Sequence, residues 1–533
     1  MKTENKVADF CNSKWFPSIA LAIVLYLIYS PIFLSDYLMN DDWAHIGPKS
    51  RDVVQSVIDH FLFNGRAIFG AIQSLVFEYV EYDPLLVQAV RFLDFLSMAA
   101  VAVVLQRFLE KQSMHRWLSF FVVLFLFSHV SIQGLLGYGL LLISNSQPAI
   151  WFSLLAFYLF FFAFKKWRIP KALQMVIVFF VLMLAMLSMQ TYAFFAMIPL
   201  SYLALADWDK QKHRIIGFFI IAIIVFVASS LAYKFVLDFS VAQGRATYPL
   251  GQQAFSAIAS DPVRVFLRTI NPLAYWSAFT IWTYPFPLHY TPPLGDTKET
   301  ISSAILIIWM ALNVAAIITE IRDPAKESKR QVIFKWLTVL VCLGFGALFL
   351  VADSPTKIIE HRPHMTLTMT GVAIFTGAYS LQILAAKFRF LKSKIALALG
   401  AFLIIMVAFG AQAGILRGIT YTRMEQINFI RTELVSRDPA EYKNIIIVLP
   451  ASGGCVTEPC DPWFGQIVHS DWHMGRKEVY KYALTTMGIS PDAMNMTVEK
   501  QKPDTIPNDT LVIDWNKFIS ARKRLADFLK QQN

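Results

Sequence analysis

The chain has 533 residues, of which 56% are hydrophobic, 14% aromatic and only 16% charged. Such a mix, with four cysteines, excludes an intrinsically disordered chain, a collagen-like repeat and a disulfide-rich secreted scaffold, and points to a polytopic α-helical membrane protein. No basic nucleic-acid motif accompanies the net charge of +11, so nucleic acid is not an expected partner, and Lys and Arg retained in cytoplasmic loops account for the excess.

Lys2, Lys6 and Lys14 precede an apolar run over 15–34, about the 20 residues that cross a bilayer, and no small-residue cleavage site follows it. This predicts an uncleaved first helix. Further apolar segments lie at 85–109, 117–133, 148–164, 172–187, 192–206, 215–237, 301–319, 332–351, 365–385 and 395–415, for about eleven spans. Basic residues fall on alternate connections: 107–116, 165–171, 210–214, 322–330 and 387–394. The opposite short connections, 134–147 and 188–190, hold none. The positive-inside rule then predicts a cytoplasmic N-terminus and a C-terminal tail on the far side. Arg91 and Asp94 are ionisable positions inside a span, expected to face the bundle or the first loop, with no role assigned.

Three non-cytoplasmic segments are too long for simple connectors. The first loop, 35–84, carries an expected amphipathic helix at 53–63 and a shorter apolar stretch at 67–80. The second, 238–300, is rich in aromatics and proline, as suits a segment lying against the membrane surface. The third begins after Arg417 and shifts to soluble composition. It reads as a small α/β domain over 417–533, with a helix at 424–436, a strand at 444–449, a helix at 476–486, a strand at 510–514 and a closing helix from 516. The transmembrane part is 1–416.

Three residue groups carry chemistry. Asn40-Asp41-Asp42-Trp43 stands directly after the first span, and Asn64-Gly65-Arg66 follows in the same loop. A carboxylate held near a sugar hydroxyl serves as general base, so Asp41 and Asp42 are the catalytic candidates, with Trp43 and Arg66 as substrate-binding residues; two merely solvated loop acids are the alternative. Asp353, Lys357, Glu360, His361, Arg362 and His364 gather between the ninth and tenth spans. Lys357, His361, Arg362 and His364 are suited to a phosphate at the membrane interface, against an alternative in which they snorkel toward head groups. Cys455 and Cys460, followed by His469 and His473, are read as a disulfide in an oxidising compartment, with zinc or two free thiols as the alternatives. No cofactor is expected, and a divalent cation is not indicated.

The acidic pair in the first extracytoplasmic loop, together with a soluble C-terminal domain on the same side, resembles the GT-C glycosyltransferases. Asp41-Asp42-Trp43 with Asn64-Gly65-Arg66 is similar, more narrowly, to the Gtr-type O-antigen glucosyltransferases. This resemblance implies a GT-C-like fold in a bacterial inner membrane. It implies inverting transfer of a sugar, usually glucose, from a polyprenyl-phosphate-linked donor, undecaprenyl phosphate, to O-antigen or another lipid-linked glycan. An O-antigen polymerase or ligase, and a membrane transporter or flippase, are the rival readings; transporters place ionisable residues and broken helices near the bilayer midplane, often in repeated halves, and no repeat is visible here.

Overall fold

The computed structural model describes residues 13, 15–35, 66–80, 83–137, 140–167, 169–242, 295–322, 328–353, 367–388, 394–416, 420, 422–436, 441–449, 477–490, 494–518, 520, 521 and 524. The protein is mostly helical. Among the described residues six helices are long and apolar enough to cross a membrane: Phe16–Phe33, Pro84–Lys111, Ser146–Trp167, Lys171–Ser188, Trp208–Val236 and Leu367–Lys387.

The first helix, α1 (Phe16–Phe33), packs along α3 (Pro84–Lys111), and the two are zipped by Tyr26, Phe33, Phe92 and Phe95. Between them comes α2 (Ala67–Val80), a helix over the shorter apolar stretch expected in the first loop. Helix α3 starts where Asp83 accepts the Leu85 N–H at 2.8 Å with Pro84 in the first turn, which satisfies an orphan amide where proline costs nothing. The segment 117–133, expected as one span, is broken into α4 (Arg116–Phe127) and α5 (Val130–Gly137). His129 Nδ1 accepts the Ser131 N–H at 3.3 Å, and the Gln133 amide donates to the Ser128 carbonyl at 2.7 Å. These side chains satisfy the backbone groups that the break frees.

Helix α6 (Leu140–Tyr158) runs through a π-turn, Leu159–Ala163, into Phe164–Trp167. Arg214 takes up carbonyls at that turn, bonding the Phe160 oxygen at 2.6 Å and the Phe161 oxygen at 3.4 Å. After α7 (Lys171–Ser188) the chain makes a 3-10 turn, Gln190–Tyr192, and α8 starts only at Met197 (Met197–Ala206) rather than at 192. Helix α9 (Trp208–Ala242) exposes Ile216, Ile220, Ile223, Val227 and Leu231 along one face. An apolar stripe of that length is at home against lipid chains and costly against water.

Helices α10 (Gly295–Ile321), α11 (Lys329–Asp353) and α12 (Leu367–Lys387) pack on one another, and α11 and α12 also pack on α8. A Cβ on Gly346 of α11 would come within 2.7 Å of the Met369 backbone nitrogen, so only glycine permits this approach. One ion pair ties the three helices together. Lys335 Nζ meets Glu320 Oε1 at 2.6 Å, Tyr379 donates to the same oxygen at 2.7 Å, and Trp336 Nε1 donates to Oε2 at 2.9 Å. Lys335 is only 1% exposed. Helix α13 (Lys394–Gly414) closes on α1 and α4.

The C-terminal elements are α14 (Thr422–Leu434), β1 (Asn444–Val448), α15 (Lys477–Thr486), β2 (Asn495–Glu499) and β3 (Thr510–Asp514). The strands form a parallel sheet in the order β2-β1-β3. Strand β2 was not expected from the sequence; its two inward residues, Met496 and Val498, give too short an alternation to stand out. The expected closing helix corresponds to a helical turn at 515–518. Gly488, at φ +76°, ends α15 in the left-handed conformation, and the Ile489 N–H returns to the Leu484 carbonyl at 3.0 Å. Trp515 Nε1 donates to the buried Tyr480 hydroxyl at 2.6 Å, and burial raises the Tyr480 phenol well above its usual value. Val80 and Val87 of the α2–α3 corner share one hydrophobic core with Ile430, Ile445, Tyr480 and Ile513. That core seats the C-terminal elements on the corner.

Candidate active site at one end of the bundle

The helix bundle has two chemically distinct ends. At one, the Arg107 guanidinium lies 4.3 Å above the Trp15 ring and Lys111 Nζ lies 5.5 Å from the Phe162 ring centroid. There too Arg214 bonds the α6 carbonyls and Gln331 Nε2 donates to Asp209 at 2.6 Å. These contacts bring the described flanks of the basic connections, Arg107, Lys111, Arg214 and Gln331 among them, to one end. At the other end Gln88 and Arg91 donate to the carbonyls of Leu34 and Ser35, each at 3.4 Å, where α1 ends and α3 begins. The α2–α3 corner and the C-terminal elements belong to this second end.

Arg66 sits at the second end, immediately before α2, and its carbonyl accepts the Gly70 N–H at 3.0 Å. Its Nε donates to Gln190 Oε1 at 3.2 Å. The phenols of Tyr192 and Tyr233 stand within electrostatic reach of the guanidinium. Gln190 is held by a rigid setting: Met189 and 192–196 are buried, and the Ala196 N–H donates to Ser153 Oγ at 2.8 Å. A guanidinium fixed in this way offers a planar fork of donors to a carboxylate or a phosphate.

A second polar group lies between α3 and α6. Ser97 Oγ donates to Gln147 Oε1 at 2.7 Å and accepts from Trp151 Nε1 at 2.8 Å. The Gln147 amide lies beside the Asp94 carboxyl, and Arg91 acts on that carboxyl electrostatically. Arg91 and Asp94 are both buried.

Of the expected catalytic, substrate-binding and disulfide residues, Arg66 alone lies among those the structure describes. Asp41, Asp42, Trp43, Lys357, His361, Arg362, His364, Cys455 and Cys460 lie outside them. The helices flanking 354–366 are α11 and α12; they run antiparallel, with Glu320, Lys335 and Tyr379 joined at one level and Gly346 against Met369 at another. The sequence reading gave Gln147 and Gln190 no role. Their only signal was a carboxamide in a connection devoid of charge, which periodicity does not register. No protein-family model, curated protein sequence or solved structure matches the chain.

Proposed function

We propose that the protein is a membrane glycosyltransferase of the GT-C type. In this reading it moves a sugar, glucose foremost, from undecaprenyl phosphate to O-antigen or another lipid-linked glycan at the non-cytoplasmic face of the bacterial inner membrane. Helices α4, α8, α10, α11 and α13 then join the six long helices as spans, with the N-terminus cytoplasmic and 417–533 outside. The observation that carries the reading is Arg66. It closes the Asp41-Asp42-Trp43 and Asn64-Gly65-Arg66 pattern, and it is held by Gln190 at the end of the bundle away from the basic connections. A polyprenyl-phosphate head group meets water at that level. Asp41 follows Ser35 by six residues, at most about 21 Å of chain, and Arg91 holds the Ser35 carbonyl at the same end.

The chemistry is a single in-line displacement. Asp41 or Asp42 takes the proton of the acceptor hydroxyl, and that oxygen bonds the anomeric carbon. The bond from carbon to phosphate oxygen breaks, and the phosphate departs with the electron pair, which inverts the anomeric centre. Arg66, with Lys357, His361, Arg362 and His364, neutralises the departing phosphate. A transporter draws support from ionisable residues inside the bundle: Arg91, Asp94 and Lys335 are buried, and Glu320 pairs with Lys335. Incubating purified protein with a polyprenyl-phosphate sugar and a glycan acceptor separates the two readings: the transferase releases polyprenyl phosphate and extends the acceptor, whereas a transporter leaves both unchanged.

A further inference from the structure

We propose that the basic end of α6, α7 and α9 binds an anionic phospholipid with two phosphates, diphosphatidylglycerol. The three helices pack together there: α7 lies against both α6 and α9, and Phe218 of α9 meets Phe160 and Phe161 of the π-turn. Their end segments, 164–171 and 207–214, carry seven Lys and Arg against two carboxylates. One of these acids, Asp207, is taken up by Lys210 at 3.1 Å, and the other, Asp209, accepts from Gln331 of α11. Lys165, Lys166, Lys171 and Lys212 pair with no acid among the described residues.

Arg214 sets this group apart from an ordinary basic loop. It is half-buried, and its Nη1 is fixed by the Phe160 and Phe161 carbonyls at 2.6 and 3.4 Å. Carbonyl oxygens are neutral, so the guanidinium is held in place without a counter-ion among the described residues. A fixed and partly desolvated cation attracts a phosphate more strongly than a fully hydrated one does. What adjoins the cations points to a lipid. Trp167, 58% exposed beside Lys166, is an aromatic suited to head-group level. Leading away from Lys171, α7 exposes Leu173, Val176 and Phe180 on one face, and leading away from Arg214, α9 exposes Ile216, Ile220 and Ile223. Charge at the helix ends with apolar stripes behind it suits a head group with acyl chains rather than a soluble anion. The cations fall on two connections, Lys165, Lys166 and Lys171 on one and Lys212 and Arg214 on the other, which suits two phosphates on one head group. This inference does not rest on the glycosyltransferase reading.

The test uses full-length protein in detergent with diphosphatidylglycerol, phosphatidylglycerol and phosphatidylcholine as probes, and reads lipid retention by native mass spectrometry. Wild-type protein should retain diphosphatidylglycerol in preference to phosphatidylglycerol, and phosphatidylcholine least. Lys165→Gln combined with Lys166→Gln should weaken diphosphatidylglycerol retention about tenfold or more, and Lys212→Gln should weaken it less. These lysines make no ion pair, so melting temperatures without added lipid should stay at the wild-type value. Lys329→Gln combined with Lys387→Gln removes the same charge from the ends of α11 and α12 and should leave retention unchanged. Equal losses in that control would assign retention to the overall charge of this end. Equal retention of the two anionic lipids would remove the two-phosphate site, and displacement by inorganic phosphate would leave a site for free anions only. Each of these three results would overturn the proposal.

Discussion

Arg66 Nε and Gln190 Oε1 meet at 3.2 Å across 124 positions of sequence. This bond ties the start of α2 to the buried turn between α7 and α8. It aims the guanidinium from a fixed point, since Gln190 stands on a segment whose neighbours are buried and whose Ala196 amide is anchored by Ser153. Arg66→Lys keeps the charge and loses the fork, so transfer efficiency should fall about 10- to 100-fold, as for loss of a hydrogen bond to a charged group. Gln190→Leu should fall less, and the double variant should be no worse than Arg66→Lys alone, because the two act as a unit. Steady-state kcat/KM on a polyprenyl-phosphate sugar checks this; additive losses would separate the two residues.

The Lys335 and Glu320 pair should behave as a structural clamp. Glu320→Gln strands a buried ammonium, which costs about 3–5 kcal/mol. Lys335→Met combined with Glu320→Gln removes both charges and should recover much of that loss. Melting temperatures in detergent should fall steeply for the single variant and return toward wild type for the double. A double variant as unstable as the single one would mean that shape, not charge, holds α10, α11 and α12 together.

Sidedness is tested by fusion. A reporter active only in the periplasm, placed after Gln532, should be active, and a cytoplasmic reporter there should be silent. The reverse pattern would put Arg66 and the C-terminal elements in the cytoplasm and remove the polyprenyl-phosphate site.

Cys455 and Cys460 should be joined if the C-terminal tail lies in an oxidising compartment. Mass spectrometry of non-reduced protein should give the cross-linked peptide. Two free thiols, or one zinc per chain, would reject the pairing.

Much of the helical framework was legible because its apolar runs are long and uninterrupted: α3 starts at Pro84 where 85 was expected, and α2 covers Ala67–Val80 as the apolar stretch indicated. The breaks were not legible. The break at Ser128 and His129 is held by the His129 and Gln133 side chains bonding backbone groups, which periodicity does not register. Of the candidate site, Arg66 was found as part of a local motif, but its partner Gln190 depends on how α2 folds against α7. Asp94 and Arg91 were visible as charges inside a span, while their neighbour Gln147 carries no charge and sits on another helix.

The most direct test of the glycosyltransferase account is turnover of the acidic pair. Purified wild-type protein, Asp41→Asn and Asp42→Asn would each be given the same undecaprenyl-phosphate sugar and glycan acceptor, with released undecaprenyl phosphate measured over time. Neighbouring carboxylates repel, so one remains ionised as the base near neutral pH. The account predicts release by wild type and a loss of about 10² to 10⁴ in rate for at least one variant, with donor binding retained. Wild-type rates in both variants would place the base elsewhere, and no release by the wild type from any polyprenyl-phosphate sugar would contradict the account.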